Sequence, residues 1–169
     1  MQPEQAAFLR EVFLPGIENE FQTTKKVIAA IPQAKCGYKP DPKSRAAIDL
    51  AWHIAITDLW FLEGLIKGEF TMEEPKIAQP KTIAEILSIY EKEFPALVAK
   101  VKALPPAKLA QTINFLNFAN HPAVIYLQFL NNHSVHHRGQ LAAYLRPMGS
   151  KVPSIYGGSA DEPLQMSAS

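Results

Sequence analysis

From Ser44 to Gly68 the chain reads SRAAIDLAWHIAITDLWFLEGLIKG. Between Ala46 and Ile66 this is the most apolar run in the protein, yet Asp49, His53, Asp58 and Glu63 interrupt it. Four such side chains are too costly in a span that faces lipid, so the run reads as a buried helix of a soluble protein. Ser44 is a good N-cap and Gly68 a good stop. Apolar residues occupy much of the circumference, and a helix of that kind must be covered on several sides by other elements.

The rest of the chain provides the cover. Pro3 to Ile31 carries Phe8, Val12, Phe13, Ile17, Phe21 and Ile28 at mixed three- and four-residue spacing, a helical pattern in which Pro15-Gly16 predicts a kink or a brief break. Pro32 to Pro42 is a loop. After a second loop with Pro75 and Pro80, Thr82-Ile83-Ala84-Glu85 forms a capping box. Ile83, Ile86, Leu87, Tyr90, Phe94, Leu97 and Val101 make the inner stripe of the helix it opens, with Pro95 predicted to bend or divide it. Ala107 to Asn120 fits no single pattern: TINFLNF can be a turn, an extended piece or helix. A last long helix is expected from an Asn120 cap, with Pro122 in its first turn, to Arg146, stopped by Pro147 and Gly149. The predicted fold is all-α, a four-helix bundle over residues 1–158 with a short irregular C-terminal tail. Val152, Ile155 and Tyr156 are expected to pack on the bundle, and 159–169 to be flexible.

The 169 residues suit one domain, and 47% hydrophobic with 20% charged residues excludes the disordered class. One cysteine, Cys36, excludes an internal disulfide and a cysteine zinc cluster. The net charge is +1, and the signs are mixed, with seven Lys and six Glu between Lys67 and Lys108. No basic face for a nucleic acid emerges. The N-terminus lacks the basic start and apolar run of a leader peptide, so a cytoplasmic protein is expected.

Three of the five histidines fall together in Asn132-His133-Ser134-Val135-His136-His137-Arg138-Gly139-Gln140. On a helix His133 and His137 differ by only about 40° and stand one turn apart, whereas His136 points about 100° from His137. Tyr126, Leu130, Leu141 and Tyr144 extend the pair's face, so the two rings are expected on the core side. Two neutral imidazoles at this spacing chelate a transition metal well. The other reading is a pair of core-edge histidines hydrogen-bonded to backbone or carboxylate. A metal needs a third donor, and His53, amid Trp52, Ile54 and Ile56, is the best candidate. Asp49, one turn earlier, can take that ring's other N–H, and Asp58 and Glu63 are reserve ligands. His121, about 18 Å from His133 if helical, cannot share the site. Gln140 can bond a ligand or bridge helices, and Arg138 reads as an ion-pair partner.

A histidine in the second long helix followed by a late HxxxHRGQ motif (His133, His137, Arg138, Gly139, Gln140) and then LAAYLRPMGSKVPSIYGG resembles the DinB/YfiT-like superfamily, from Pro3 to Gly158. The resemblance implies a four-helix bundle, usually a homodimer, with a divalent transition metal on His53, His133 and His137. Nickel or zinc comes first, iron or manganese next. Characterised members include transferases and isomerases that use low-molecular-weight thiols such as mycothiol or bacillithiol, and a metal-dependent hydrolase. The expected function is thus a metal-dependent S-transfer onto or from a small molecule, with a small thiol as cosubstrate. A hydrolase or a non-catalytic metal- or small-molecule-binding bundle are the alternatives. The residues identify no general base, and the adjacent His136 leaves the ligand register open.

Overall fold

A computed structural model of the protein describes residues 1–73 and 75–164. Four long helices form the body: α1 (Pro3–Ala29), α2 (Ala47–Lys67), α3 (Ile83–Lys102) and, after the shorter elements, α5 (Tyr126–Leu145). Around the bundle the order is α1, α3, α2, α5, each packing on the next and α5 closing on α1. The first two helices therefore lie diagonally opposite, and the long connection from Ala30 to Ala46 crosses one end. Thirteen residues of α2 are buried, including Leu50, Trp52, Ile54, Leu59, Phe61 and Leu62, as its all-round apolar sequence requires.

Both interior prolines lie within continuous helices, so of the two expected outcomes at each, a kink or a break, the break does not occur. Proline leaves the carbonyl four residues earlier without its N–H partner. Pro15 and Pro95, with Glu11 and Glu91 four residues before them, are on exposed positions, where water can satisfy that carbonyl. The Thr82 capping box forms as read: Thr82 Oγ1 accepts from the Glu85 N–H (3.2 Å), and Glu85 accepts from the Thr82 N–H (3.1 Å). The start of α2 is corrected. It begins at Ala47, not Ser44, because the Ala47 and Ile48 N–H groups donate to the Tyr38 and Cys36 carbonyls of the preceding loop (2.9 and 2.8 Å). Gly68, with φ 83°, ends the helix in the left-handed region that glycine enters freely. On α1, Phe8 and Val12 prove exposed, at 68% and 52%, so the buried stripe is Leu14, Ile17, Phe21, Val27 and Ile28.

The ambiguous segment resolves into a short helix α4 (Pro106–Ala110) and a two-stranded antiparallel hairpin, β1 (Thr112–Phe115) with β2 (Ala119–Pro122). Ile113 faces His121 and Phe115 faces Ala119 across it. Asn120 and Pro122 are strand residues, not the cap and first turn of a helix, and α5 starts only after a 3₁₀ turn at Ala123–Ile125. The hairpin turn places Leu116 and Asn117 at φ 52° and 64°. Tight hairpin turns require such values, but without a glycine there the sequence hides the turn. Tyr126 anchors the hairpin by donating its hydroxyl to the Ile113 carbonyl (2.8 Å).

The C-terminal segment packs Val152 and Ile155 on the core, while the Tyr156 ring is 70% exposed. Asp161 accepts from Arg146 Nε (3.0 Å) and the Val152 N–H (2.9 Å), and Ser159 donates to the Val152 carbonyl (2.6 Å). The stretch to Leu164 is thus hydrogen-bonded back on itself; positions 165–169, on which the rest of the expected flexible tail falls, lie outside the described residues.

Candidate metal centre

The buried stripe of α5 is Tyr126, Leu127, Leu130, Ser134, Arg138, Leu141 and Leu145. Ser134 and Arg138, not the histidines, stand at its centre, which corrects the expected face by one residue. His133 and His137 border the stripe, half-buried, and lean across to His53 on the adjacent face of α2. One nitrogen of each ring lies within 4.8 Å of the others, a three-histidine group that can hold a metal ion.

The ring contacts define which nitrogens converge. His53 Nε2 and His133 Nε2 are 3.1 Å apart. Two imidazole nitrogens each about 2.0–2.1 Å from one ion are separated by roughly 3–3.4 Å, so this spacing suits a shared cation. On the far side of His137, Nδ1–H donates to Gln140 Oε1 at 2.7 Å, which fixes the tautomer with a free lone pair on Nε2. Gln140 Nε2 in turn donates to Nε2 of His136, an exposed residue on the flank. His53 Nδ1 contacts Thr57 Oγ1 at 3.3 Å. Asp49 does not hold that ring: its carboxylate accepts from Gln79 Nε2 at 2.9 Å. His133 Nδ1 is buried with no hydrogen-bond partner, so its one polar outlet is Nε2, toward the other two rings.

Burial, the Arg45 cation and His137 lower the pKa of His53 to about 4. Burial and the neighbouring rings bring His133 to about 3, and burial lowers His137 against the raising effect of its Gln140 bond. All three rings are therefore neutral at pH 7, the form that ligates metals. No carboxylate contributes to any of these shifts. The reserve ligands are engaged elsewhere. Glu63 pairs with Lys67 at 2.8 Å, and Asp58 is fully buried, accepting hydrogen bonds from Tyr90 and Ser134. His121 is outside the group, but it lies in the strand β2 and not on a common helix with His133, so the helical spacing is not what separates them.

Two buried polar clusters lie behind the rings; sequence reading missed the first and, for the second, foresaw Arg138 as an ion-pair partner without its partner. Asp58 of α2 is bonded by the Tyr90 hydroxyl of α3 and the Ser134 hydroxyl of α5, so one carboxylate joins three helices. Burial raises its pKa to about 7, against the opposing pull of those two hydroxyls and of Arg138. Arg138, 1% exposed, forms an ion pair with Glu20 of α1 and donates to the Tyr156 hydroxyl. The signal for Ser134 was present: it falls four residues from both Leu130 and Arg138, on the helix's inward repeat.

An open cleft of about 490 Å³ runs beside His137, lined by Ser44, Arg45, Leu50, Gln140 and Tyr144 among others. A helical bundle with three converging histidines at the edge of its core, one of them opening on a cleft, defines a class of helical proteins with a histidine group that can hold a metal ion. The family model described as the DinB family matches residues 5–165, and the chain belongs to that family. A crystal structure of a DinB-like protein from Bacillus cereus ATCC 10987 superposes with a TM-score of 0.74 at 26% identity, covering 86% of this chain and 97% of that one. A DinB-like protein from Bacillus subtilis, YjoA, shares the fold with a TM-score of 0.66 at 22% identity, covering 86% and 95% of the two chains. The uncharacterised protein YrdA of Bacillus subtilis strain 168 is 25% identical over 151 residues, 89% of each chain.

Proposed function

We propose that this protein is a divalent-metal-dependent enzyme that moves a small thiol onto or from a small-molecule partner, with His53, His133 and His137 as the metal ligands. The observation that carries the reading is the convergence of three neutral imidazoles beside an open cleft. Nickel and zinc fit an all-imidazole donor set, with iron or manganese behind them. Bound there, the ion would lower the pKa of a thiol or polarise an oxygen.

The chain's own residues do the rest. Gln140 holds His137 in the tautomer that turns Nε2 inward. Buried surroundings keep protons off the three rings at neutral pH. Leu50 and Tyr144 give the cleft apolar walls. The resemblance to a family whose characterised members include transferases that use small thiols supports thiol transfer over hydrolysis. We further take the protein to be a cytoplasmic homodimer that binds neither nucleic acid nor membrane. The family resemblance supports the dimer, and the net charge of +1 argues against a nucleic acid. Among the described residues, no helix is long and apolar enough to cross a membrane.

The test is elemental analysis of protein purified without added metal, beside the His137→Ala variant, followed by a thiol-consumption assay with several small thiols and an electrophile. Near-stoichiometric metal that His137→Ala loses, with turnover that a chelator stops, is the expected result. Bound metal without any turnover favours a non-catalytic binding bundle, and metal-independent turnover removes the ion from the mechanism.

A further inference from the structure

The charge inventory around the three rings is one-sided. A divalent ion on three histidines would bring two positive charges, and among the described residues Arg45 is the one charged side chain lining the adjoining cleft beside His137. Arg45 is exposed at the end of the loop before α2 and lines the same cleft as His137. The nearby acids are turned away: Asp41 accepts from the Lys43 N–H and Asp49 from Gln79. Among the described residues no carboxylate lies within ion-pair distance of Arg45. Nor is the positive field spread along the helix end, since the first two N–H groups of α2 are occupied by the Tyr38 and Cys36 carbonyls.

Two cationic centres side by side with no anion between them repel each other, and a bound anion relieves both. A guanidinium also matches a carboxylate as a two-pronged donor. We propose that the cleft lined by Arg45, Leu50, His137, Gln140 and Tyr144 is the substrate site, and that Arg45 pairs with a carboxylate of the thiol substrate while its sulfur faces the histidines. This inference rests on the reading that the three histidines hold a divalent ion. It selects acidic small thiols over neutral or basic ones.

Three thiols with the same two-carbon spacer separate the possibilities: 3-mercaptopropionate, 2-mercaptoethanol and cysteamine, titrated calorimetrically into zinc-loaded and into chelated protein. The zinc-loaded wild type is expected to bind 3-mercaptopropionate at least about tenfold more tightly than cysteamine, the scale of one charge-assisted pair in an open cleft. Arg45→Ala should bring the ratio to within about twofold, and Arg45→Lys should retain part of it. Arg45 is exposed and makes no ion pair, so these variants should keep the wild-type circular dichroism. An unchanged ratio in Arg45→Ala overturns the inference and leaves the metal reading standing. Arg45-dependent discrimination that survives chelation at undiminished affinity shows an anion site that needs no ion, and overturns the placement of the sulfur at the histidines. Displacement of 3-mercaptopropionate by inorganic phosphate at similar concentration would show a bare anion site and overturn the carboxylate assignment. Failure of every thiol to bind the zinc-loaded form overturns the inference, and failure of the protein to retain zinc through dialysis overturns the metal reading with it.

Discussion

His133, half-buried, and Asp58, fully buried, show how differently two polar groups behave. The imidazole has one buried nitrogen without a partner and one aimed at its neighbours, so its chemistry is directed to one point. Replacing His53, His133 or His137 by Ala should weaken metal binding by more than about 100-fold, beyond the 10–100-fold typical of outer-shell changes, whereas His121→Ala should leave it intact. Metal content after dialysis at fixed free-ion concentration checks this. Retention in His133→Ala with loss in His136→Ala would shift the ligand register. Asp58 is a stability group. Its folded pKa of about 7 lies far above the unfolded value of about 3.9, so the folded state keeps a proton that the unfolded state gives up between those values. The stabilisation is therefore full below about pH 4 and is lost as pH rises through 7. Asp58→Asn, which mimics the protonated carboxyl, should remove that part of the slope. Urea midpoints of the two chelated proteins at pH 5, 6 and 7.5 should converge toward the acidic end. A constant difference would contradict the assignment.

The helices are joined by a few polar ties across an apolar interior, and their ends are set by local chemistry. Arg138 brings a charge into the core between α5 and α1, and Glu20 balances it. Glu20→Ala leaves that guanidinium unpaired and should destabilise the protein by about 3–5 kcal/mol, read from denaturant midpoints. A loss under about 1 kcal/mol would mean that Tyr156 and Thr24 suffice to hold the cation. At the start of α3 the capping box is exposed, so Thr82→Ala should cost only about 1 kcal/mol, a drop of roughly 2–4 °C in Tm for a domain of this size. The box was legible because both of its members are local in sequence. The α2 start was not, because carbonyls of Cys36 and Tyr38 replaced the Ser44 cap once the loop had folded back.

For the molecule as a whole, the core is continuous through all four long helices and needs no ion to exist. Chelation should leave the far-UV circular dichroism largely unchanged and lower the Tm, since a ligand that binds only the native state adds stability by mass action. Unfolding on metal removal would make the centre structural instead. The proposed homodimer predicts a light-scattering mass of twice 18.8 kDa at micromolar concentration, and a mass of 18.8 kDa would overturn it.

Periodicity, caps and composition alone determined four long helices, the buried character of α2 and the pairing of His133 with His137, because each depends on residues at most a few turns apart. The same residues pointed to His53, yet only the packing of α2 against α5 brought its ring within 3.1 Å of His133. The inward repeat of Leu130, Ser134 and Arg138 is local, but only tertiary structure supplied the partners Asp58 and Glu20, which lie 76 and 118 residues away in sequence. It also made a hairpin of a stretch whose turn, at Leu116 and Asn117, carries no glycine. Local energetics left that segment undecided; burial of Phe115 against Phe61, Phe70 and Tyr126 decided it.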